Sequence, residues 1–192
     1  VNSTSVVANA GTDQTICKGE SVTLTASGGT DYLWNTGETT ASITVNPTTT
    51  TTFSVTVSDG ASSDTDNVTV IVNPLPIADA GADQTLCEGE STTLTASGGD
   101  SYLWNTGETT QSINVSPTTT STYTVIATQN NCDASDDIQV VVNPLPTANA
   151  GTDITINQGD STTLTASGGG TYLWNTGETT AGITVSPNST TS

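Results

Sequence analysis

The nine residues Tyr32-Leu33-Trp34-Asn35-Thr36-Gly37-Glu38-Thr39-Thr40 return unchanged at Tyr102 to Thr110 and at Tyr172 to Thr180, each time 70 residues further on. A fixed period of that size means a string of similar small domains, each with its own core, and excludes one large core. The register divides the chain into residues 1–7, which align with the end of a preceding unit, a first unit at 8–77, a second at 78–147 and a third at 148–192. The third is expected to be incomplete, its last two strands missing. It is completed either by continuation of the chain or by a strand from another molecule, as in donor-strand assembly.

Within the repeated stretch, Tyr and Trp stand two apart and so face the same side of a strand, while Asn-Thr-Gly-Glu closes that strand in a turn. The 3 tryptophans of the chain, Trp34, Trp104 and Trp174, fall one to a unit. A domain this small needs a large core residue, so Tyr32, Trp34, Tyr102, Trp104, Tyr172 and Trp174 are assigned to the cores. The competing reading is a row of exposed aromatics that stack on sugars, and buried indoles would count against it.

The rest of each unit alternates with period 2. Thr12 to Cys17 reads as a first strand and Ser21 to Ala26, with Val22, Leu24 and Ala26 on one face, as a second. After the aromatic strand come Ala41 to Val45, a strand marked by Phe53, Val55 and Val57, a turn at Asp59-Gly60, and a last strand marked by Val68, Val70 and Val72. Short strands separated by Gly, Pro or Asn signals, with no helical periodicity, predict an all-β fold of tandem, Ig-like, two-sheet antiparallel sandwiches. Asn73-Pro74-Leu75-Pro76 and Asn143-Pro144-Leu145-Pro146 lie between units. Alternate prolines favour an extended, semi-rigid connection, so the units should string out like beads.

Lys18 is the single cation against 19 acidic residues, there is no histidine, and the formal charge is −18. That balance argues against nucleic acid, which needs clustered Lys and Arg, and against an anionic membrane surface. No stretch reaches the roughly 20 apolar residues that span a bilayer. Val1-Asn2-Ser3-Thr4 has no signal-peptide pattern, so the chain reads as a mature or internal fragment exported by sequence elsewhere.

The run from Ser21 to Gly60 and the segment Val72 to Glu90 resemble the PKD-like and Ig-like tandem repeats of very large bacterial surface proteins, including gliding-type adhesins exported by the type IX secretion route. The Tyr-Leu-Trp-Asn-Thr-Gly-Glu segment is similar to the Tyr-x-Trp-Asp-Phe-Gly-Asp-Gly signature of PKD domains, and Thr120 to Thr128 to their Tyr-Thr-Val strand. The resemblance implies an extracellular, cell-surface setting and modules that act mainly as spacers. Asn-Thr-Gly-Glu replaces the acidic Asp-Phe-Gly-Asp, which removes the basis for carrying over a calcium role at that loop.

Cys17 and Cys87 occupy the same place in successive units, and Cys132 lies in the turn between the last two strands of unit two. The economical pairing is Cys87 with Cys132, which implies an oxidising compartment. Cys17 is then a free thiol or an intermolecular bridge. Recurrent carboxylates, Asp13/Asp83/Asp153, Glu20/Glu90/Asp160 and Glu38/Glu108/Glu178, read first as solvated turn residues. Asp79 and Asp83, beside the linker, are the pair placed to hold calcium, and no other cofactor is expected. The threonine runs Thr48 to Thr52 and Thr118 to Thr120 read as loops. The sequons at Asn2, Asn67, Asn114 and Asn188 carry no specific signal, and Asp160-Ser161-Thr162 resembles a bacterial O-glycosylation site. No nucleophile–base constellation or phosphate loop is present, so no enzyme is expected.

The function expected is a structural repeat segment of a secreted bacterial adhesin stalk or extracellular filament. Its partners would be other copies of the repeat, other chains in a fibre, and surface glycans bound through regions outside this chain, with neither nucleic acid nor membrane insertion. The alternatives are a carbohydrate-binding appendage of a polysaccharide-degrading enzyme and a fibre subunit joined by strand exchange.

Overall fold

The computed structural model describes residues 5–192; the sequon at Asn2 and most of the segment 1–7 lie outside the described residues. The chain is all-β, built from tandem Ig-like sandwiches. Module one contains β1 (Gln14–Cys17), β2 (Val22–Thr25), β3 (Asp31–Trp34), β4 (Ser42–Val45), β5 (Thr51–Ser58) and β6 (Ser63–Asn73). Module two repeats them as β7 (Gln84–Cys87), β8 (Thr92–Thr95), β9 (Ser101–Trp104), β10 (Ser112–Val115), β11 (Ser121–Gln129) and β12 (Cys132–Asn143). In unit three only β13 (Thr162–Thr165) and β14 (Gly182–Val185) form.

In module one a four-stranded sheet of order β1-β6-β5-β3 faces the pair β2-β4, and module two repeats this as β7-β12-β11-β9 against β8-β10. Period-2 alternation sends one face of every strand inward. Ile16, Leu24, Trp34, Ile43, Val55, Val57, Val68 and Val70 meet from both sheets in a single core. Trp34 and Trp104 are each 1% exposed. Their indole N–H groups donate to Thr40 O at 3.0 Å and Thr110 O at 3.1 Å, so the one polar atom carried inside by each ring is satisfied. Tyr32 and Tyr102 are half-buried against the two cores, whereas Tyr172, assigned to a core with them, is half-buried in a unit that encloses none.

One ladder departs from the antiparallel expectation. β1 runs parallel to β6, with Gln14 opposite Val70 and Cys17 opposite Asn73, and β7 runs parallel to β12, with Cys87 opposite Asn143. The entry segment makes this possible. Asn9 and Ser27 exchange backbone hydrogen bonds of 3.0 and 2.8 Å, and the crossing is so close that a Cβ on Gly28 would overlap the Val7 carbonyl. Gly28 also has φ +116°, so glycine is required there twice over. Ala8 N–H and Ala10 N–H then donate to the carboxylates of Asp64 and Asp66 on β6, each at 2.9 Å, which lays the incoming chain alongside the last strand.

Unit three separates what a sequence encodes locally from what it needs a partner to adopt. Its Tyr-Leu-Trp-Asn-Thr-Gly-Glu-Thr-Thr copy makes the same turn: Trp174 N–H donates to Glu178 O at 2.9 Å, Gly177 N–H to Trp174 O at 2.9 Å, and the indole to Thr180 O at 2.8 Å. Yet residues 171–174 form no strand, nor do residues 154–157. The counterparts of β5 and β6, on which those strands would hydrogen-bond, do not fall within residues 148–192. Trp174, assigned to a core with the other two, is only half-buried, for the same reason.

Replacing Trp104 by alanine should lower the stability of module two by about 3–5 kcal/mol. Trp174→Ala in this chain should cost far less, because its ring is not enclosed. Thermal melts resolved by module would show the contrast, and equal losses would contradict the packing described.

Candidate functional site

The parallel ladder gives each complete module two chemically different poles. At the entry pole lie the incoming chain and the turn between the last two strands. At the exit pole lie the end of the first strand, the end of the last strand and the linker. In module one the exit pole holds Cys17 and Asn73 side by side. A turn follows Cys17, in which Glu20 N–H donates to Cys17 O at 3.0 Å, Glu20 Oε2 accepts from Cys17 N–H at 2.8 Å, and Gly19 takes φ +96°. Lys18 N–H donates to Asn73 O at 2.9 Å and closes the pole.

At the entry pole of module two, β11 and β12 are joined by Asn130-Asn131 alone, with Gln129 opposite Cys132. Both asparagines have positive φ, 52° and 60°. That is the backbone of a tight type I′ hairpin, whose twist matches that of the flanking strands. The corresponding loop of module one, Asp59 to Ser62, is longer and is held by Asp59 Oδ1, which accepts from Ala61 N–H at 2.9 Å and Ser62 N–H at 2.8 Å.

The two poles meet. Asn73 Nδ2 donates to Asn130 O at 3.1 Å, and Cys17 forms a disulfide with Cys132, with Cα atoms 5.6 Å apart; Pro76, in the linker that follows Asn73, is buried. This corrects the expected pairing of Cys87 with Cys132 and the expected free thiol at Cys17: Cys87 is the free cysteine, and it is exposed. The cause is the parallel ladder. Cys132 opens β12 whereas Cys87 pairs with Asn143 at its far end, so the two lie at opposite poles, about 35 Å apart at the rise of an extended strand. A disulfide tolerates a Cα separation of no more than about 7 Å. The observed bond closes a sequence separation of 115 residues, which the chain-entropy model values at about 5 kcal/mol.

Four of the recurrent carboxylates, Asp13, Asp83, Glu20 and Glu90, accept from backbone N–H groups. Asp13 Oδ1 accepts from Thr69 N–H at 2.8 Å and Asp83 Oδ1 from Gln139 N–H at 2.9 Å, both on last strands. Asp79 Oδ1 accepts from Gly81 N–H at 2.8 Å, and Glu90 Oε2 from Cys87 N–H at 2.7 Å. Among the described residues no group of three or more His, Cys, Asp or Glu side chains gathers in a way that could hold a metal. Two open hollows, of about 260 and 330 Å³, lie in unit three. The larger is lined by Ala150, Ala166, Tyr172 and Trp174, which are the inward face of an uncovered sandwich, and neither hollow is lined by an Asp, Glu or Cys side chain.

Asn73, Asn130 and Asn131 were missed by the sequence reading as junction residues. The Asn-Asn pair did carry a signal, since it marks a tight hairpin able to present its carbonyls at a tip; nothing marked Asn73 beyond its recurrence at Asn143.

No protein-family model matches the chain, and no curated protein matches it. Among solved structures it is similar to domains 3–5 of the extracellular part of Drosophila OTK, at 11% identity over 69% of this chain and 59% of that one, with a TM-score of 0.42. A titin fragment of three Ig domains matches at 15% identity over 82% of this chain and 73% of that one, TM-score 0.41. The four N-terminal Ig domains of Dscam1 match at 10% identity over 72% and 46%, TM-score 0.30. Likeness at this level carries no statement about what the chain binds or does.

The Asp66 carboxylate is held below its ordinary value of 3.8, first by the N–H of Ala10 and then by that of Asn67. A lowered folded value means that the contribution is complete above the ordinary value and is lost as pH falls through the folded one. Asp66→Asn should therefore flatten the decline in melting temperature of module one below about pH 4, the range where free carboxylates take up protons. An unchanged acid limb in a pH 5-to-2 melting series would contradict that role.

Proposed function

We propose that this chain is a structural segment of an extracellular bacterial surface protein, an adhesin stalk or filament of the PKD-like and Ig-like kind, whose task is to set distance rather than to perform chemistry. The observation that carries this reading is the junction. Two near-copies are joined exit pole to entry pole by a disulfide, an arrangement that passes load from module to module. It also calls for an oxidising compartment, in keeping with export to the cell surface. The net charge of −18 keeps neighbouring stalks apart. The polar-capped, buried indoles of Trp34 and Trp104 weigh against an aromatic sugar-binding platform. The open face of unit three suits a hairpin like β5–β6, supplied by the same chain or by another, so a strand-exchanged fibre stands as the second form of the same reading.

Two measurements test the proposal. Antibody against the repeats should label intact, unpermeabilised cells, and labelling only after permeabilisation would overturn the placement. Pulled by its ends, the oxidised chain should withhold the 115-residue loop between Cys17 and Cys132 from extension. Reduction should then release about 400 Å of added contour length, at roughly 3.3–3.6 Å per residue. Equal lengths in both redox states would show that the junction bears no load.

A further inference from the structure

We propose that the exit pole of module two, centred on Cys87 and Asn143, is a second docking site for the tip of a cysteine-bearing β-hairpin, closed by a disulfide to Cys87. This rests on the array reading above and assigns the chemistry of its next junction. The occupant is a hairpin of the β11–β12 type, with cysteine at the position of Cys132.

The argument is a residue-by-residue copy of a site whose occupant is visible. Cys87 faces Asn143 across a parallel ladder as Cys17 faces Asn73. Glu90 Oε2 accepts from Cys87 N–H at 2.7 Å as Glu20 Oε2 does from Cys17 N–H at 2.8 Å. Glu88 N–H donates to Asn143 O at 2.9 Å, matching Lys18 N–H and Asn73 O at 2.9 Å. Gly89 takes φ +90° where Gly19 takes +96°, and Pro-Leu-Pro follows each asparagine. In module one these same residues hold a hairpin tip, with Asn73 Nδ2 on Asn130 O and Cys17 bonded to Cys132, and Pro76 is buried. In module two they stand in solvent, with Cys87, Asn143 and Pro146 all exposed. The chain's own Cys132 is already bonded and sits at the opposite pole, so the partner of Cys87 must come from another hairpin.

The bond forms by two exchanges with a small-molecule disulfide such as oxidised glutathione. The Cys87 thiolate attacks it, its S–S bond breaks, and one glutathione thiolate leaves. The hairpin thiolate then attacks the Cys87 sulfur of the mixed disulfide and displaces the second glutathione. Two cysteine thiols are oxidised, one glutathione disulfide is reduced to two thiols, and the two protons pass to the departing thiolates.

The test extends the 192-residue chain after Ser192 with a copy of residues Tyr123 to Thr147, which in the 70-residue register supplies unit three with its last two strands and a hairpin cysteine. A second version carries serine at the position copied from Cys132. Both are oxidised with glutathione disulfide, and completion of unit three is followed by the blue shift of Trp174 emission. The cysteine version should show no titratable thiol and a mapped bond between Cys87 and the grafted cysteine, whereas the serine version should keep one thiol, at Cys87. A completed unit three with Cys87 still titratable, or capped by glutathione, overturns the proposal.

If the extension does not fold, the site is read between molecules, by mixing the 192-residue chain with its Cys17→Ser, Cys87→Ser variant. A Cys87–Cys132 heterodimer supports the site, and Cys87 homodimers or glutathione adducts alone overturn it. The spacer reading fails instead on cell labelling and extension length, so the two failures are distinguishable.

Discussion

The parallel pairing of the first strand with the last is the constraint from which the rest of this molecule follows. An antiparallel first strand would return its cysteine towards the hairpin of its own module. The parallel one carries it to the other end, beside the last residue before the linker. Once strand ends of both kinds gather at one pole, the chain leaves a module where the first cysteine lies and enters the next where the hairpin lies. Apposition of those two features is a consequence of chain direction, and it requires no special sequence beyond a turn tight enough to reach.

Energetically the pairing depends on polar side chains that look unremarkable in the sequence. Ala10 and Thr69 each offer a backbone N–H at the seam between the entry strand and the last strand, and Asp66 and Asp13 accept them. Acidic residues thus act as backbone acceptors along the seam, which gives a structural reason for their return at Asp136 and Asp83 in module two. The abundance of carboxylates is in part a way of laying an incoming strand against an outgoing one without an exposed row of unpaired donors.

Much of this was legible in the residues. The alternation around Leu24, Ile43 and Val55 located strands and their inward faces, and the single tryptophan of each unit located the two complete cores. The turn after Trp34 was equally readable, because it forms even in unit three where the strand before it does not. Strand direction was not legible, since a half-buried strand shows the same period-2 pattern whether its neighbour runs with it or against it. The disulfide assignment failed for that reason and no other. The fate of Trp174 was hidden similarly: residues identical to those around Trp34 cannot state whether the strand they need is present.

One detail of the exit pole bears on durability. The chain's single basic residue, Lys18, lies in the turn held by Cys17 and Glu20, so a protease that cuts after basic residues has one bond to attack, Lys18–Gly19. Even a successful cut there would separate nothing, because the severed leading piece remains tethered through Cys17 to the following module. A nick at that bond would leave the string in one piece.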